Sequence, residues 1–554
     1  MQPTPTKQGI QQNSLEPPPP PTAEAPGGGG RSAQDTPPTD PQRRRYLPHA
    51  LGGLLVMAAG WLYVRTLAPS VMPGDYAEFQ FCAAILCVPH PTGYPVYILL
   101  GKLFTLLPFG DVAYRVNFSS AAYMAGAVGL LFVISVRLLK LAGLSRVWWC
   151  AAVGAALFAV APTVWSMSLV ARSYALNALL VGSVVYCLVS WRNTGGRGWF
   201  FACCTLIGLS MVHHGTTYLL LPAYGLYLLL AEVERHRRGA DERPWLRRGL
   251  GVLALLAGFS PMLFLVYRFV FGSPYYWGNP TTWKDFFSLV TGGPFHNQVM
   301  AFGSDPGAQL GRIAFGLGEL SVQYTAVGIV LGLVGLAALW RLRRGEAGLL
   351  TLMLLGNFLF AMNYSLVGYL YFIPTYLIWG LFMSFGAGGL LHTLFAWGKT
   401  WEHEVVARAV PAVLGVGLLC VVSLLAARRY ETIDMSWRTM VRDQTLTMLK
   451  AAEPNASLYL DWEELSAVRF YRFVYGMRTD LALHSGDPAD WPKNVYCDVT
   501  AGTPAYVSTF AGAIPAGVAN DFELEPAAIG WRVTSILNPG RYEVPPCGTC
   551  ATCR

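Results

Sequence analysis

Apolar runs recur along the chain near residues 48–67, 118–139, 147–166, 174–191, 199–212, 216–231, 249–271, 323–340, 347–364, 367–393 and 409–426. A helix that crosses a bilayer needs roughly 20 predominantly apolar residues. The pattern therefore predicts an all-α polytopic membrane protein with about eleven transmembrane helices. The 199–212 run is short and reads as either a tilted or a buried segment.

The polar stretches between the runs alternate in charge. "RLLKLAGLSR" (137–146), "WRNTGGR" (191–197), "ERHRRGADERPWLRR" (234–248), "RLRRGE" (341–346) and "KTWEHEVVAR" (399–408) fall on one side. The segments 68–117 and 272–321 fall on the other and carry few Lys or Arg. Lys and Arg accumulate in cytoplasmic loops, so the N-terminus is expected in the cytoplasm and residues 428–554 outside. Past residue 427 the period changes. "TMLKAAE", "ASLYLDW", "ELSAVRFYRFVYG" and "PAYVSTF" alternate helical and strand-like spacing, which predicts a small C-terminal α/β extracytoplasmic domain. The expected domains are a tail over 1–45, a transmembrane domain over 46–427 and the outer domain over 428–554.

Composition agrees with the pattern. Of 554 residues, 53% are hydrophobic and 13% charged, against about 25% charged in soluble domains. The net charge of +8 sits in short loops between apolar runs, which argues for a bilayer partner and against nucleic acid. Residues 1–45 are rich in Pro, Gly and Thr and lack a signal peptide's apolar core and cleavage site. They are expected to be a disordered cytoplasmic tail, ending in "RRR" (43–45). Most of the eleven cysteines lie in spans, where Cys behaves as a small apolar residue. Cys547, Cys550 and Cys553 in "CGTCATC" offer only three metal ligands, so the tail reads as disulfide-bearing or disordered.

The candidate chemistry gathers after the first run. Asp75 and Glu78 are three apart and share a face if helical. Such a pair serves as a general base and its partner, holds a divalent cation, or merely starts a solvated helix. "VPHPTGYPVY" (88–97) cannot form a regular helix, because its prolines remove backbone donors. Irregular backbone at membrane depth lines a cavity or is buried in protein, which places His90, Tyr94 and Tyr97 at a cavity wall. Arg115 and Asn117 sit at the outer mouth of the next span. Arg115 there either grips a phosphate or snorkels to the interface. In "MVHHGTT" (211–217), adjacent histidines point about 100° apart on a helix, a poor two-ligand metal site. One is expected at the cavity and the other in a structural hydrogen bond. Trp277, Asn279 and Trp283 in "SPYYWGNPTTWKDFF" (273–287) read as an interfacial belt or as a carbohydrate-handling surface.

Five blocks in order, "GDYAEFQ", "HPTGYPVYILLGKLFTLLPFGDVAYRVNFSSA", "WSMSLVARSYALNALL", "GLSMVHHGTTYLLLPA" and "YYWGNPTTWKDFFSLVTG", resemble a multi-spanning family long labelled a domain of unknown function. Its animal members are transmembrane protein O-mannosyltransferases, and it looks like a branch of the GT-C glycosyltransferases. The resemblance covers roughly residues 48–300. It implies a GT-C-like enzyme that moves a sugar from a polyprenyl-phosphate donor to a hydroxyl of a protein, lipid or glycan. Asp75 would be the base. Glu78 would orient it or assist a metal. His90, Tyr94, Arg115, Asn117 and His214 would serve the donor and its phosphate, and Trp277 and Asn279 the sugar or acceptor. Inversion at the anomeric carbon is expected by superfamily analogy. No metal ligand and no definite cofactor are assigned, and a divalent cation is compatible with the acids. The expected location is a bacterial inner membrane.

Two positions depart from the family pattern. Arg172 stands where the family shows an acid, and Gly368 stands about where another acid is expected. Either change implies altered donor or metal handling, or a degenerate enzyme. A transporter or flippase for a lipid-linked or organic anion is the rival from another class. It predicts broken helices in matching halves, and the proline-rich break after the first run has no counterpart in the second half.

Overall fold

The computed structural model describes residues 41–144, 147–239, 243–295, 305–364, 368–398, 404–484, 488–510, 512, 514–528, 530–539 and 541–542. Residues 1–40 of the tail expected over 1–45 and the three terminal cysteines lie outside them, while residues 41–45, expected disordered, belong to a helix that opens at Pro41.

The apolar runs all fall on helices. In chain order these are α1 (Pro41–Arg65), α2 (Asp75–Ile85), α3 (Pro95–Thr105), α4 (Val112–Leu141), α5 (Val147–Ala159), α6 (Pro162–Met167), α7 (Ser173–Thr194), α8 (Arg197–His213) and α9 (Thr217–Arg237). Then follow α10 (Pro244–Phe259), α11 (Met262–Phe271), α12 (Trp283–Val290), α13 (Pro306–Leu342), α14 (Arg344–Asn363), α15 (Gly368–Tyr371), α16 (Ile373–Gly398) and α17 (Glu404–Ile433). Among the described residues, α4, α7, α13, α14 and the Ile373–Leu394 part of α16 are each long and apolar enough to cross a membrane. The pair α10–α11, bent by 48°, makes a sixth if it is one span. The 147–166 run shows why the count of full spans falls below the count of runs. Pro162 opens a new helix, leaving the 13 residues of α5 a rise of only about 20 Å. The protein is an integral membrane protein.

Close helix contact rests on small residues, as it does inside bilayers. A Cβ at Gly335 of α13 would stand 1.7 Å from the Phe382 carbonyl oxygen of α16, so the two backbones touch there. At one end of the bundle three basic loops meet. Arg192 binds Glu234 at 2.5 Å, and Arg343 donates to Asn193 Oδ1 at 2.7 Å.

Residues 440–536 carry a five-stranded sheet with α18 (Met440–Ala451), β1 (Ser457–Leu460), α19 (Trp462–Tyr475), β2 (Ala482–His484), α20 (Trp491–Thr500), β3 (Ala505–Ser508), α21 (Ala516–Asp521), β4 (Phe522–Pro526) and β5 (Trp531–Ile536). Its order is β2-β1-β3-β5-β4, with β1 parallel to β2 and β3, and β5 antiparallel to β3 and β4. Parallel neighbours need crossover helices, supplied by α19 and α20. Strand β1 ("SLYL"), flanked by parallel neighbours on both sides, is buried at all four residues, as a strand covered on both faces must be. A continuous apolar core runs from Tyr63 of α1 through the bundle to Leu458, Leu465 and Phe470. The C-terminal α/β part is therefore packed onto the helices, and its α19 lies against α2.

Candidate active site

Helix α2 begins at Asp75, so Asp75 and Glu78 occupy its first turn and face the same way. The chain then leaves the helix, tied by a Cys82–Cys87 disulfide, and returns through the proline-rich segment to start α3 at Pro95. Gly93 (φ +81°) is needed in that return. A Cβ there would press to 3.0 Å from Leu265, and the backbone angle is one that L-residues avoid. The return brings His90 over the two acids. One oxygen or nitrogen from each of Asp75, Glu78 and His90 lies within 4.8 Å of the others.

Glu78 is fully buried and fully engaged. Its Oε2 faces His90 Nδ1 at 2.5 Å, its Oε1 accepts from Tyr275 OH at 3.1 Å, and the His90 backbone N–H reaches both oxygens at 3.2 Å. Asp75 is more open, its side chain 28% exposed. Its Oδ1 accepts from Trp462 Nε1 at 2.8 Å and its Oδ2 from Arg172 at 2.8 Å, with His90 Nε2 at 3.9 Å. Burial works to raise the Asp75 pKa, but the charges of His90 and Arg172 and the indole hydrogen bond outweigh it and hold the group down at about 2. For His90, burial favours the neutral ring, yet the facing carboxylates win and raise its pKa. The cluster thus sets two carboxyl groups against an imidazole whose protonated form they favour and a guanidinium.

A wall of rings bounds the cluster. Phe79 meets His90, Tyr94 and Tyr97 edge-on at 5.2, 5.1 and 5.0 Å between ring centres. Tyr94 continues to His214 at 6.1 Å, and His214 sits against Tyr174 at 5.5 Å and Tyr371 at 5.8 Å. The two adjacent histidines divide as their spacing implied. His213 Nε2 bonds the Ser173 carbonyl at 3.0 Å. His214 Nδ1 accepts from the Thr216 backbone N–H at 3.3 Å, which leaves the proton on Nε2. That Nε2 is buried without a partner among the described residues.

Other expected site residues lie apart from the acids. Arg115 engages each of its three guanidinium nitrogens with a carbonyl, of Phe109, Thr105 and Gly110, clasping the loop before α4. Asn117 acts as a joint. Its Nδ2 donates to the carbonyls of Ala68 and Ser70, while its Oδ1 accepts from Gln80 and from the Ala171 backbone. It thereby fixes α2 relative to the turn that carries Arg172. Trp277 reaches the region through its backbone, which donates to the Val88 carbonyl at 3.0 Å, and Asn279 forms the turn beyond it. From this stretch Tyr275, not Trp277 or Asn279, touches an acid. Gly368 opens the short α15.

Sequence reading did not assign Tyr275, Trp462 or Arg172 to the site. Arg172 showed only as a departure from a pattern, and the tryptophan carried no signal, since it lies 387 residues from its partner. The disulfide was readable from two cysteines five apart.

Asp75, Glu78 and His90 bring one ligand atom each close enough together to hold a divalent cation, and the same atoms also have partners within the protein. Both Glu78 oxygens and His90 Nδ1 are already matched to each other, and a guanidinium occupies Asp75 Oδ2. The positive charge a cation would bring is present in Arg172 and in the protonated form of His90.

The fold has a solved counterpart. ArnT from Cupriavidus metallidurans in the apo state superposes with a TM-score of 0.54 at 15% identity, covering 89% of this chain and 98% of that one. The same protein bound to undecaprenyl phosphate gives 0.51 at 15% identity, with the same coverage. A family model and curated proteins also match part of the chain. Residues 75–237 match the family model described as Protein O-mannosyl-transferase TMEM260 N-terminal domain. Similar curated proteins are the protein O-mannosyl-transferase tmem260 of Dictyostelium discoideum, 25% identical over 311 residues (51% of this chain, 35% of that one), and TMEM260 of Mus musculus, 31% identical over 239 residues (41% and 31%). The match spans about a third of the length of these relatives.

Proposed function

We propose that the protein is a membrane glycosyltransferase that moves a sugar, mannose by analogy with the relatives' names, from a polyprenyl phosphate to an acceptor hydroxyl on the extracytoplasmic face. The observation that carries this reading is the Asp75 carboxylate. It is partly open, oriented from both sides, and backed by Glu78 and His90 behind a ring-lined wall. In the reaction Asp75 takes the proton of the acceptor hydroxyl while that oxygen bonds the anomeric carbon. The bond from that carbon to the phosphate oxygen breaks, and the lipid phosphate leaves with the electron pair. Glu78 and Tyr275 hold the segment bearing His90, whose positive ring favours the ionised form of Asp75.

The donor class is supported by the likeness to a protein solved with undecaprenyl phosphate. Orientation is supported by the basic loops at 191–197, 234–248 and 341–346, which gather at one end of the bundle. The Cys82–Cys87 disulfide is the form expected on an oxidising face. Protein, lipid and glycan all remain within the acceptor class.

The test is transfer from radiolabelled polyprenyl-phosphate mannose by the full chain in lipid nanodiscs, read together with acceptor-free release of the sugar. Turnover in either arm that Asp75→Asn abolishes supports the enzyme. Movement of the intact donor between leaflets without release would support the transporter, and inertness in every arm a non-catalytic relative.

A further inference from the structure

Arg172 is placed unlike an ordinary ion-pair partner. It stands just before α7, its backbone N–H bonded to Ser120 Oγ at 3.4 Å and its guanidinium stacked 4.6 Å over the Tyr76 ring. A guanidinium offers five donors in a planar fork suited to two-pronged recognition of an oxyanion. Here a single NH1 donates to Asp75 Oδ2, and the buried Nε has no partner among the described residues. A second unspent donor is near. His214, 3% exposed, carries its unpaired Nε2 among Tyr94, Tyr174 and Tyr371, and Tyr174 is two residues from Arg172. Two buried donors, both unused and bordering the same tyrosines, describe a site for an oxyanion. Arg115, with each guanidinium nitrogen engaged by a carbonyl, offers no such unpaired nitrogen.

The pairing also bears on the base. With Trp462 on one oxygen and Arg172 on the other, Asp75 is held as a carboxylate of little basicity. Removing Arg172 from Oδ2 exposes a lone pair where an acceptor hydroxyl would donate.

We propose that Arg172 is a shared clamp, holding Asp75 in the resting protein and passing to the donor's phosphate when the lipid arrives, so that donor binding itself frees the base. This rests on the glycosyltransferase reading above and names the residue that recognises its donor. The arriving phosphate takes the guanidinium by a two-pronged contact and accepts from His214 Nε2. Asp75 Oδ2 then receives the hydroxyl proton as the new glycosidic bond forms. The phosphate, leaving with the electron pair of the broken bond, keeps its charge paired to Arg172. The proton on Asp75 passes to water, and departure of the lipid phosphate restores the ion pair.

The exchange predicts an effect that simple phosphate binding does not. Because Asp75 and the phosphate compete for one guanidinium, Asp75→Asn should bind undecaprenyl phosphate more tightly than the wild type, about tenfold for an ion pair of roughly 1.4 kcal/mol. Arg172→Gln should bind it at least about tenfold more weakly, and Arg172→Lys should fall between. Asp75→Asn with Arg172→Gln should bind it as weakly as Arg172→Gln, at least about tenfold below the wild type, and it leaves no unpaired charge, so it serves where Arg172→Gln alone does not fold. The measurement is direct binding of sugar-free undecaprenyl phosphate to the full chain in nanodiscs, by native mass spectrometry or tryptophan fluorescence. Equal binding by wild type and the double variant, or unchanged affinity in Asp75→Asn, overturns the exchange and leaves the enzyme reading standing. A wild type that binds no undecaprenyl phosphate removes the donor reading and the exchange with it.

Discussion

Trp462→Phe tests whether the outer α/β part acts on the acid. The substitution keeps most of the ring volume and removes one bond, the Nε1–H donated to Asp75 Oδ1 at 2.8 Å. Holding Asp75 at about 2 instead of 3.8 corresponds to about 2.5 kcal/mol in favour of its charged form. His90 and Arg172 outrank the indole among the groups that lower it, so the indole's share is about 0.5–1 kcal/mol. Because the folded-state pKa is depressed, this stability is fully present above the unfolded value near 4. It is lost as pH falls through about 2. Trp462→Phe should therefore destabilise the protein by about 0.5–1 kcal/mol at pH 7, unchanged down to pH 5. In the Asp75→Asn background the same substitution should cost less, because the charge it served is gone. Denaturant or thermal unfolding in detergent of the four proteins of this cycle gives the coupling directly. An identical cost with and without the Asp75 charge would refute the reasoning, since only packing would then join α19 to α2.

The other predictions concern chemistry and orientation. Asp75→Asn should lower sugar transfer by about 10²-fold or more, the range for loss of a general base, and near-normal transfer with a defined donor would remove the assignment. Glu78→Gln should be as damaging through His90, since its buried carboxylate carries the imidazole. Its loss should not be rescued by manganese or magnesium, and chelator should leave the wild type unaffected. Cysteines introduced at residues 240 and 480 should label from opposite sides of the membrane, and labelling from one side would mean an error of one in the span count.

The sequence carried what short range determines. Apolar length marked the helices, the three-residue spacing of Asp75 and Glu78 gave their shared face, and the prolines from 89 to 95 marked the irregular return. It did not carry the partners of those acids. Tyr275 meets Glu78 and Trp462 meets Asp75 only after the chain has folded back, and no periodicity encodes such contacts. Arg115 misled for a related reason. A cation near a membrane surface advertises anion binding, while the carbonyls that engage its nitrogens belong to the bend of the 105–110 loop. Composition could not show the break at Pro162 or the bend within the α10–α11 pair.

The wide separation of these partners also sets an order in time. Chains grow at about 5–20 residues per second. Asp75 therefore meets its arginine, 97 residues later, within about 5–20 s of synthesis. Its tryptophan, 387 residues later, follows only after about 20–80 s. Between residues 172 and 462 the nascent chain holds a half-assembled pocket, and a ribosome that stalls in that interval holds a bundle whose acid is paired on one side alone.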